Sequence, residues 1–539
     1  MAVRHFSATG TKTTGDSTPG DWSNANCHPV TSLQTRGFNW PEMVTGDELI
    51  LDDGSHSFAF IALGPAAAVT GTQIKLRSRS GSASGCTLNF TDGAGSSIRA
   101  NNNTRAYSLL VSGIKLTKTV SHTVSGPALI QINGTATTEV EFADCIIDDF
   151  TNNYTNLGLQ GYFGINDGIA AIMRFTRTQI SNLTSTHAGG CYFGYVGTLA
   201  GMVFDSCDLS EINHTSTGTT SGCDGGITGP GTLSITNCTL TDCTNNAAAW
   251  GEYANDAFFH PLGACTINGL VASGITLTGS KSGACVLKAE GPFTLADCWA
   301  IDCSAIPGFI NGVDGDHTNA VGGTFLTYGE AAQGTATRIR VIRCLADEGT
   351  AWYSSQGSGA IVTDIVAEDC IAWLEGVLYF GGWGDVSVDG FRIVGGESGV
   401  ATYSFEGWAG AFYGHNHTNS TRDKTTTIKN GIIIGHNQRQ GGDAFIRMRG
   451  LISNFAHNVI VENVVVDNPG NSIQMGFIET AGCALNVSVR NVAINGGEST
   501  ISIIGSTGTR SISGVTELTA ANRPTRWGVS QGNAARRAA

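Results

Sequence analysis

The chain has 539 residues, of which 14% are charged and 73 are glycine, and its formal net charge is −14. This acidity argues against nucleic acid as a partner, and a hydrophobic share of 41% argues against a disordered chain. No apolar run approaches membrane-spanning length, so membrane insertion is not expected.

Residues 1–45 carry no repeat and are read as an N-terminal arm and cap, with VTSLQTRGFNWPEM as the covering stretch for the first coil. The opening MAVRHFSATG lacks the apolar core of a secretory signal, so synthesis in a cytoplasm is expected. A first strand and turn follow at GDELILDDGSHS, Gly46 to Ser57. The phrases QIKLRSRS, CTLNFTDG and LLVSGIKLTK then set a period-two pattern.

From there one unit is rewritten: VEFADCIID, MVFDSCDLS, LSITNCTLTDC, FTLADCWAIDCS and IVAEDCIAW, then VSVDGFRIV, TTIKNGIII, VIVENVVV and LNVSVRNVAI. Aligning Cys145, Thr178, Cys207, Cys238, Gly269, Cys298, Cys344, Cys370, Gly390, Gly431, Val464 and Val492 gives a period of about thirty residues, the mark of a stacked array. The units alternate at period two and are rich in Val, Ile, Thr and Phe, which excludes helical repeats. Each unit therefore buries its apolar face only by stacking on neighbours. The fold expected is all-β, a single-chain parallel β-helix over 46–513 with roughly a dozen or more coils. Asn or Asp beside each strand suits a tight corner, because both tolerate left-handed backbone angles. Long loops are expected near 305–335 and 400–425, and residues 514–539 read as a basic tail.

The chain has 15 cysteines. Cys238 and Cys243, like Cys298 and Cys303, would lie ~16 Å apart on an extended strand, too far for a disulfide. They are read as small buried hydrophobes stacked coil on coil. No Cys-x-x-Cys pair suggests a metal, and no cofactor is expected.

Three clusters could carry chemistry. Asp314 and Asp316, beside His317 in NGVDGDHTNAVGG, could form a carboxyl pair for glycoside hydrolysis, or simply an Asp-Gly turn. Glu252 and Asp256 in WGEYANDAFFH lie near Trp250 and His260, which suits a saccharide site or a cover over a coil edge. Aromatic residues gather as Trp352, Tyr353, Trp373, Trp383, Trp408, Phe412 and Tyr413, with Glu375, Asp385 and Glu406 between them. Rings on successive coils would form a sugar-binding ladder, or pack inside the helix. His415 and His417 have metal-compatible spacing without a third ligand, and Arg439, Arg447 and Arg449 could pair with carboxylates of a polymer or with neighbouring subunits.

The GDELILDDG opening followed by irregular coils resembles the pectate-lyase-like superfamily of right-handed β-helices, and within it the bacteriophage tailspikes. The resemblance implies a right-handed helix, a virion location, a homotrimer, contact with other virion proteins, and recognition of host surface polysaccharide with depolymerisation by hydrolysis. The superfamily's WIDH and R-x-P-x-x-R lyase phrases are not matched; VDGDH and RPTR are the nearest text, so no catalytic residue is carried over. A purely structural virion spike and a stand-alone polysaccharide lyase are the rival expectations.

Overall fold

Residues held in the left-handed backbone region cut each coil into strands, and they fall beside the strands where the repeat places Asp and Asn. The computed structural model describes residues 3–13, 15–35, 47–63, 73–102, 108–124, 128–134, 139–153, 160–166, 172–187, 191–196, 201–216, 227–229, 231–247, 255–278, 282–306, 309–310, 313–314, 321–346, 349–355, 357–373, 376–398, 410–415, 422–438, 444–450, 455–467, 473–479, 483–505 and 507–519. The chain divides into two compact units, Met1–Phe325 and Leu326–Ala539. Each is a stack of parallel, in-register rungs, and the fold is a parallel β-helix.

In the N-terminal unit one ladder climbs through Glu139–Ala143, Ile172–Thr176, Gly201–Asp205, Thr232–Thr236, Cys265–Asn268 and Phe293–Ala296. A second climbs beside it through Ile146–Asn152, Gln179–His187 and Asp208–Ser216. Between them stands a column of left-handed residues: Asp144, Arg177, Ser206, Asn237, Gly269 and Asp297. A second column follows five residues on in each of these coils, at Asp149, Asn182, Glu211, Asp242, Gly274 and Asp302. Asn, Asp and Gly fill most of these sites because they tolerate positive φ at the least cost. Arg177 is an exception the pattern does not foresee; its guanidinium grips Asp144 one coil away by two 2.7 Å bonds. A shorter sheet closes the coil through Asn255–Pro261 and Ser282–Ala289.

The interior is apolar and layered. Phe142, Phe175 and Phe204 stack nearly parallel with centroids 5.5 and 5.0 Å apart. Immediately after the first corner, Cys145, Thr178, Cys207, Cys238 and Cys298 are all buried. Thirteen cysteines among the described residues are buried thiols, as expected of small hydrophobes.

In the C-terminal unit the long ladder runs through Gln333–Ile342, Gly359–Glu368, Val386–Val394, Lys424–Ile434, His457–Asp467, Leu485–Arg490 and Arg510–Ser513. Its first corner column is Arg338, Asp364, Gly390, Asn430, Asn463 and Asn491; its second holds Arg343, Asp369, Gly395 and Gly435. This corrects the repeat alignment at four places. Cys344 and Cys370 follow the second corner, whereas Gly431, Val464 and Val492 follow the first; Gly269 and Gly390 are themselves corner residues. The slip arises because both corners demand positive φ and so read alike in sequence.

The rungs also extend past both expected boundaries. Val3–Ser7 pairs in parallel with Glu48–Leu51, and Thr516–Glu517 pairs with Ala493–Ile494. A short helix, Ser32–Thr35, buries Leu33 within the stretch read as a cap; residues 36–46 and 520–539 lie outside the described residues. The expected loops contain strands: a hairpin pairs Phe309 with Asp314, and Gly410–His415 is a rung of the short sheet. Its run AFYG is buried throughout and lacks the alternation that marks a half-exposed strand.

If corner strain governs the coil, Asn237→Val will cost ~1–2 kcal/mol in urea denaturation, and Asn237→Gly will cost less than half of that. Equal midpoints for the two variants would refute the assignment.

Candidate functional site

In the C-terminal unit the short sheet presents two chemically different faces. Phe412 packs against Phe380 at 5.1 Å and against Phe391 of the long sheet at 5.5 Å, so this row faces the interior. Trp352 shares that face, is fully buried, and donates its indole N–H to Ser354 Oγ at 2.8 Å. The alternate positions face outward and form one row along the axis: Tyr353 pairs with Tyr379, Tyr379 with Tyr413, and Tyr413 with Arg447. The rings of Tyr353 and Tyr379 stack at 4.3 Å, and those of Tyr379 and Tyr413 at 5.2 Å.

The row becomes reactive in character where the sheet ends. Tyr379 Oη lies 2.6 Å from His415 Nε2, and Arg449 occupies the next rung beside His415. Gly381 leaves room for this pair; a Cβ there would stand 2.7 Å from the Tyr379 ring and 3.1 Å from His415 Nε2. Beneath the corner, the buried ammonium of Lys424 donates to the carbonyls of Phe380 at 2.8 Å, Gly382 at 3.1 Å and His415 at 2.7 Å. One cation thus ties the Tyr379 strand to the His415 strand. Its desolvation lowers the Lys424 pKa to about 7. The neighbouring His457, whose Nδ1–H donates to Arg449 O at 2.9 Å, is pushed down to about 3, chiefly by burial.

The corner opens to solvent at Trp383. Its ring is half-buried, and its N–H donates to Glu330 Oε1 at 3.1 Å. Gly357, at φ 85, lets the indole and Glu330 close over it, since a Cβ would meet both within 2.8 Å. Asp385 accepts the Thr425 N–H at 2.7 Å and faces Arg422 at 3.7 Å. Phenol, imidazole and guanidinium therefore meet where this sheet ends, and an indole and a carboxylate follow on the turn after Tyr379, a set that can bind a sugar face and move a proton.

The substrate-binding expectation is corrected for three residues. Trp352 points into the core; Tyr353 and Tyr413 lie on the outer face but are covered, at 4% and 0% exposure, as is Tyr379 between them at 5%. An apolar strand buried on both faces leaves its rings no free surface. Trp373 and Trp383 are half-buried. Trp250, Trp408, Glu252, Asp316, His317, Glu375, Glu406, His417 and Arg439 lie outside the described residues. Asp256 and Asp314 have described backbones only, on separate strands, Asn255–Pro261 and Val313–Asp314. Among the described residues no His, Cys, Asp and Glu group could hold a metal. Tyr379, Glu330 and Lys424 were missed. With the register corrected, Tyr379 falls directly between Tyr353 and Tyr413, which is the signal that would have found it.

The N-terminal unit carries a second polar constellation at the same kind of corner. Lys288 Nζ and His260 Nε2 approach a single carboxylate oxygen, Glu290 Oε1, at 3.1 and 3.0 Å. Burial alone would raise the Glu290 pKa, but the His260 hydrogen bond and the Lys288 charge hold it at about 2. Glu290 thus contributes stability that is full above its ordinary value near 4.5 and is lost as pH falls through about 2.

Two denaturation series check these environments. Glu290→Gln is expected to lose about 2–3 kcal/mol at neutral pH, with the deficit narrowing as pH drops below 4.5. Lys424 behaves oppositely: the unfolded chain holds its proton more tightly, so its folding penalty is full below about 7 and vanishes above 10.5. The unaltered protein should therefore gain stability relative to Lys424→Met between pH 7 and 10. A constant difference would contradict the buried ammonium.

No family model matches this chain, and no curated protein matches it. Among solved structures it is similar to one titled rhamnogalacturonan lyase, at a TM-score of 0.23 and 11% identity, covering 76% of this chain and 84% of that one.

Proposed function

We propose that the chain is a tailspike-like β-helix that binds an acidic surface polysaccharide and cleaves it by β-elimination at the Gly381 corner. The observation that carries this reading is the 2.6 Å contact of Tyr379 Oη with His415 Nε2, with Arg449 on the adjoining rung. Elimination from a uronate needs its carboxylate neutralised, the C5 proton removed and the leaving oxygen protonated. A guanidinium matches a carboxylate with paired N–H donors, so Arg449 takes the first task. Half-buried His415, held by the Tyr379 hydroxyl, accepts the C5 proton. The C4–O bond breaks, the C4–C5 double bond forms, and His415 returns a proton to the departing oxygen. Half-buried Trp383 receives the sugar face, with Glu330 and Asp385 available to hydroxyl groups.

Elimination is preferred to hydrolysis because His415 and Arg449 supply a base and a cation on adjoining rungs, whereas hydrolysis requires two facing carboxyl groups and Glu330 and Asp385 are engaged by Trp383 and by Thr425 and Arg422. On this reading the protein is a virion component assembled as a homotrimer, and a monomer by native mass spectrometry would count against that assembly. The burial of Trp352, Tyr353 and Tyr413 favours a second reading, a structural spike whose rings only pack.

Purified protein should release oligosaccharides carrying an ultraviolet-absorbing double bond from a uronate-containing capsule. Tyr379→Phe should slow release by ~100-fold or more, with little change in thermal midpoint. Saturated products would replace elimination by hydrolysis. Retention of intact polymer would leave an adhesin, and neither cleavage nor retention would favour the spike.

A further inference from the structure

We infer that the Glu290 corner of the N-terminal unit is a separate saccharide-binding site, taking a neutral sugar through its hydroxyl groups. The carboxylate is built for orientation. Lys288 is fully buried and the His260 side chain is 3% exposed, yet both converge on Oε1 at 3.1 and 3.0 Å. The Glu290 side chain itself retains 26% exposure. Oε2 carries no hydrogen bond among the described residues, so the two buried donors fix one oxygen and leave the other to face solvent. Immobilising two long side chains beneath a half-open carboxylate costs entropy and desolvation, which a surface ion pair with no ligand would not require.

An apolar partner lies at the same corner. Glu290 N donates to Pro261 O at 3.2 Å, which sets the Glu290 turn against the Leu262 turn of the preceding rung. Gly291 sits so close that a Cβ would fall 2.8 Å from Leu262 O and 2.4 Å from Gly263 O. Leu262 is 40% exposed, one of few large apolar side chains so open among the described residues. A fixed carboxylate accepts hydroxyl hydrogens, and a leucine beside it covers a C–H face; together they suit a pyranose. A uronate would meet like charge, so the ligand is a neutral residue. The site takes its general class from the polysaccharide reading above and would bind the uncharged sugars of the same polymer.

The test is binding of the full-length protein to an array of neutral and uronic-acid bacterial surface oligosaccharides, with thermal midpoints measured alongside. Leu262→Ala should leave the midpoint unchanged and weaken neutral-glycan binding at least fivefold. Glu290→Gln should abolish that binding, and Glu290→Asp should restore part of it. Tyr379→Phe should bind the neutral glycans normally. The proposal is overturned if no neutral glycan binds, or if Leu262→Ala and Glu290→Gln bind as tightly as the unaltered protein. Loss of elimination with Glu290-dependent binding intact would sink only the catalytic reading; the converse would sink only this one.

Discussion

Parallel stacking in exact register is the constraint from which the rest follows. Each coil must return to the same outline, so the corner that breaks one strand must break its neighbours at the same place. The two columns of positive-φ residues, five apart, are the result. Once the corners are fixed, every outward side chain inherits neighbours directly above and below it. Small differences between coils are then displayed as rows, and a row is the unit in which this protein can build a site.

The short sheets show how such rows acquire chemistry. Their strands are apolar on the inner face, yet the outer faces are also withdrawn from solvent, and polar residues there must find partners. In the C-terminal unit the partners are one another: stacked phenols, then an imidazole, then guanidinium groups. Lys424 adds a second function by neutralising three carbonyl oxygens where the strands end. Its charge is expensive to bury, and the three bonds it makes are what hold Tyr379 against His415. In the N-terminal unit the same kind of corner is closed with Lys288 and His260 beneath Glu290. Both units thus place a buried cation under a turn between strands.

Cysteine use fits the same geometry. The position just inside the first corner is buried whether it holds a cysteine, as in much of the N-terminal unit, or Ile339, Ile365 and Phe391 in the C-terminal unit, and a thiol there can also donate weakly to a carbonyl. Cys207 donates to Phe175 O at 3.3 Å one coil away. Burial raises the Cys145 and Cys298 thiols to about 12, so they remain protonated and act as packing groups.

The fold was legible in the sequence because its causes are local: period-two apolar strands, corner Asp and Asn, and small residues between them. The inward or outward sense of most long-sheet residues follows from those same features. What the sequence by itself could not decide was which corner a given Asp-Cys pair marks, because two corners with the same backbone demand select the same residues. That ambiguity displaced the register after Cys298 and hid Tyr379 from its neighbours. Nor could it show that Trp352 turns inward while Tyr379 turns outward, since a strand buried on both faces has no alternation to read. The meeting of Tyr379 with His415, of Trp383 with Glu330, and of Lys288 with Glu290 is decided only by tertiary structure. Residues on neighbouring coils, remote in sequence, become adjacent when parallel rungs stack.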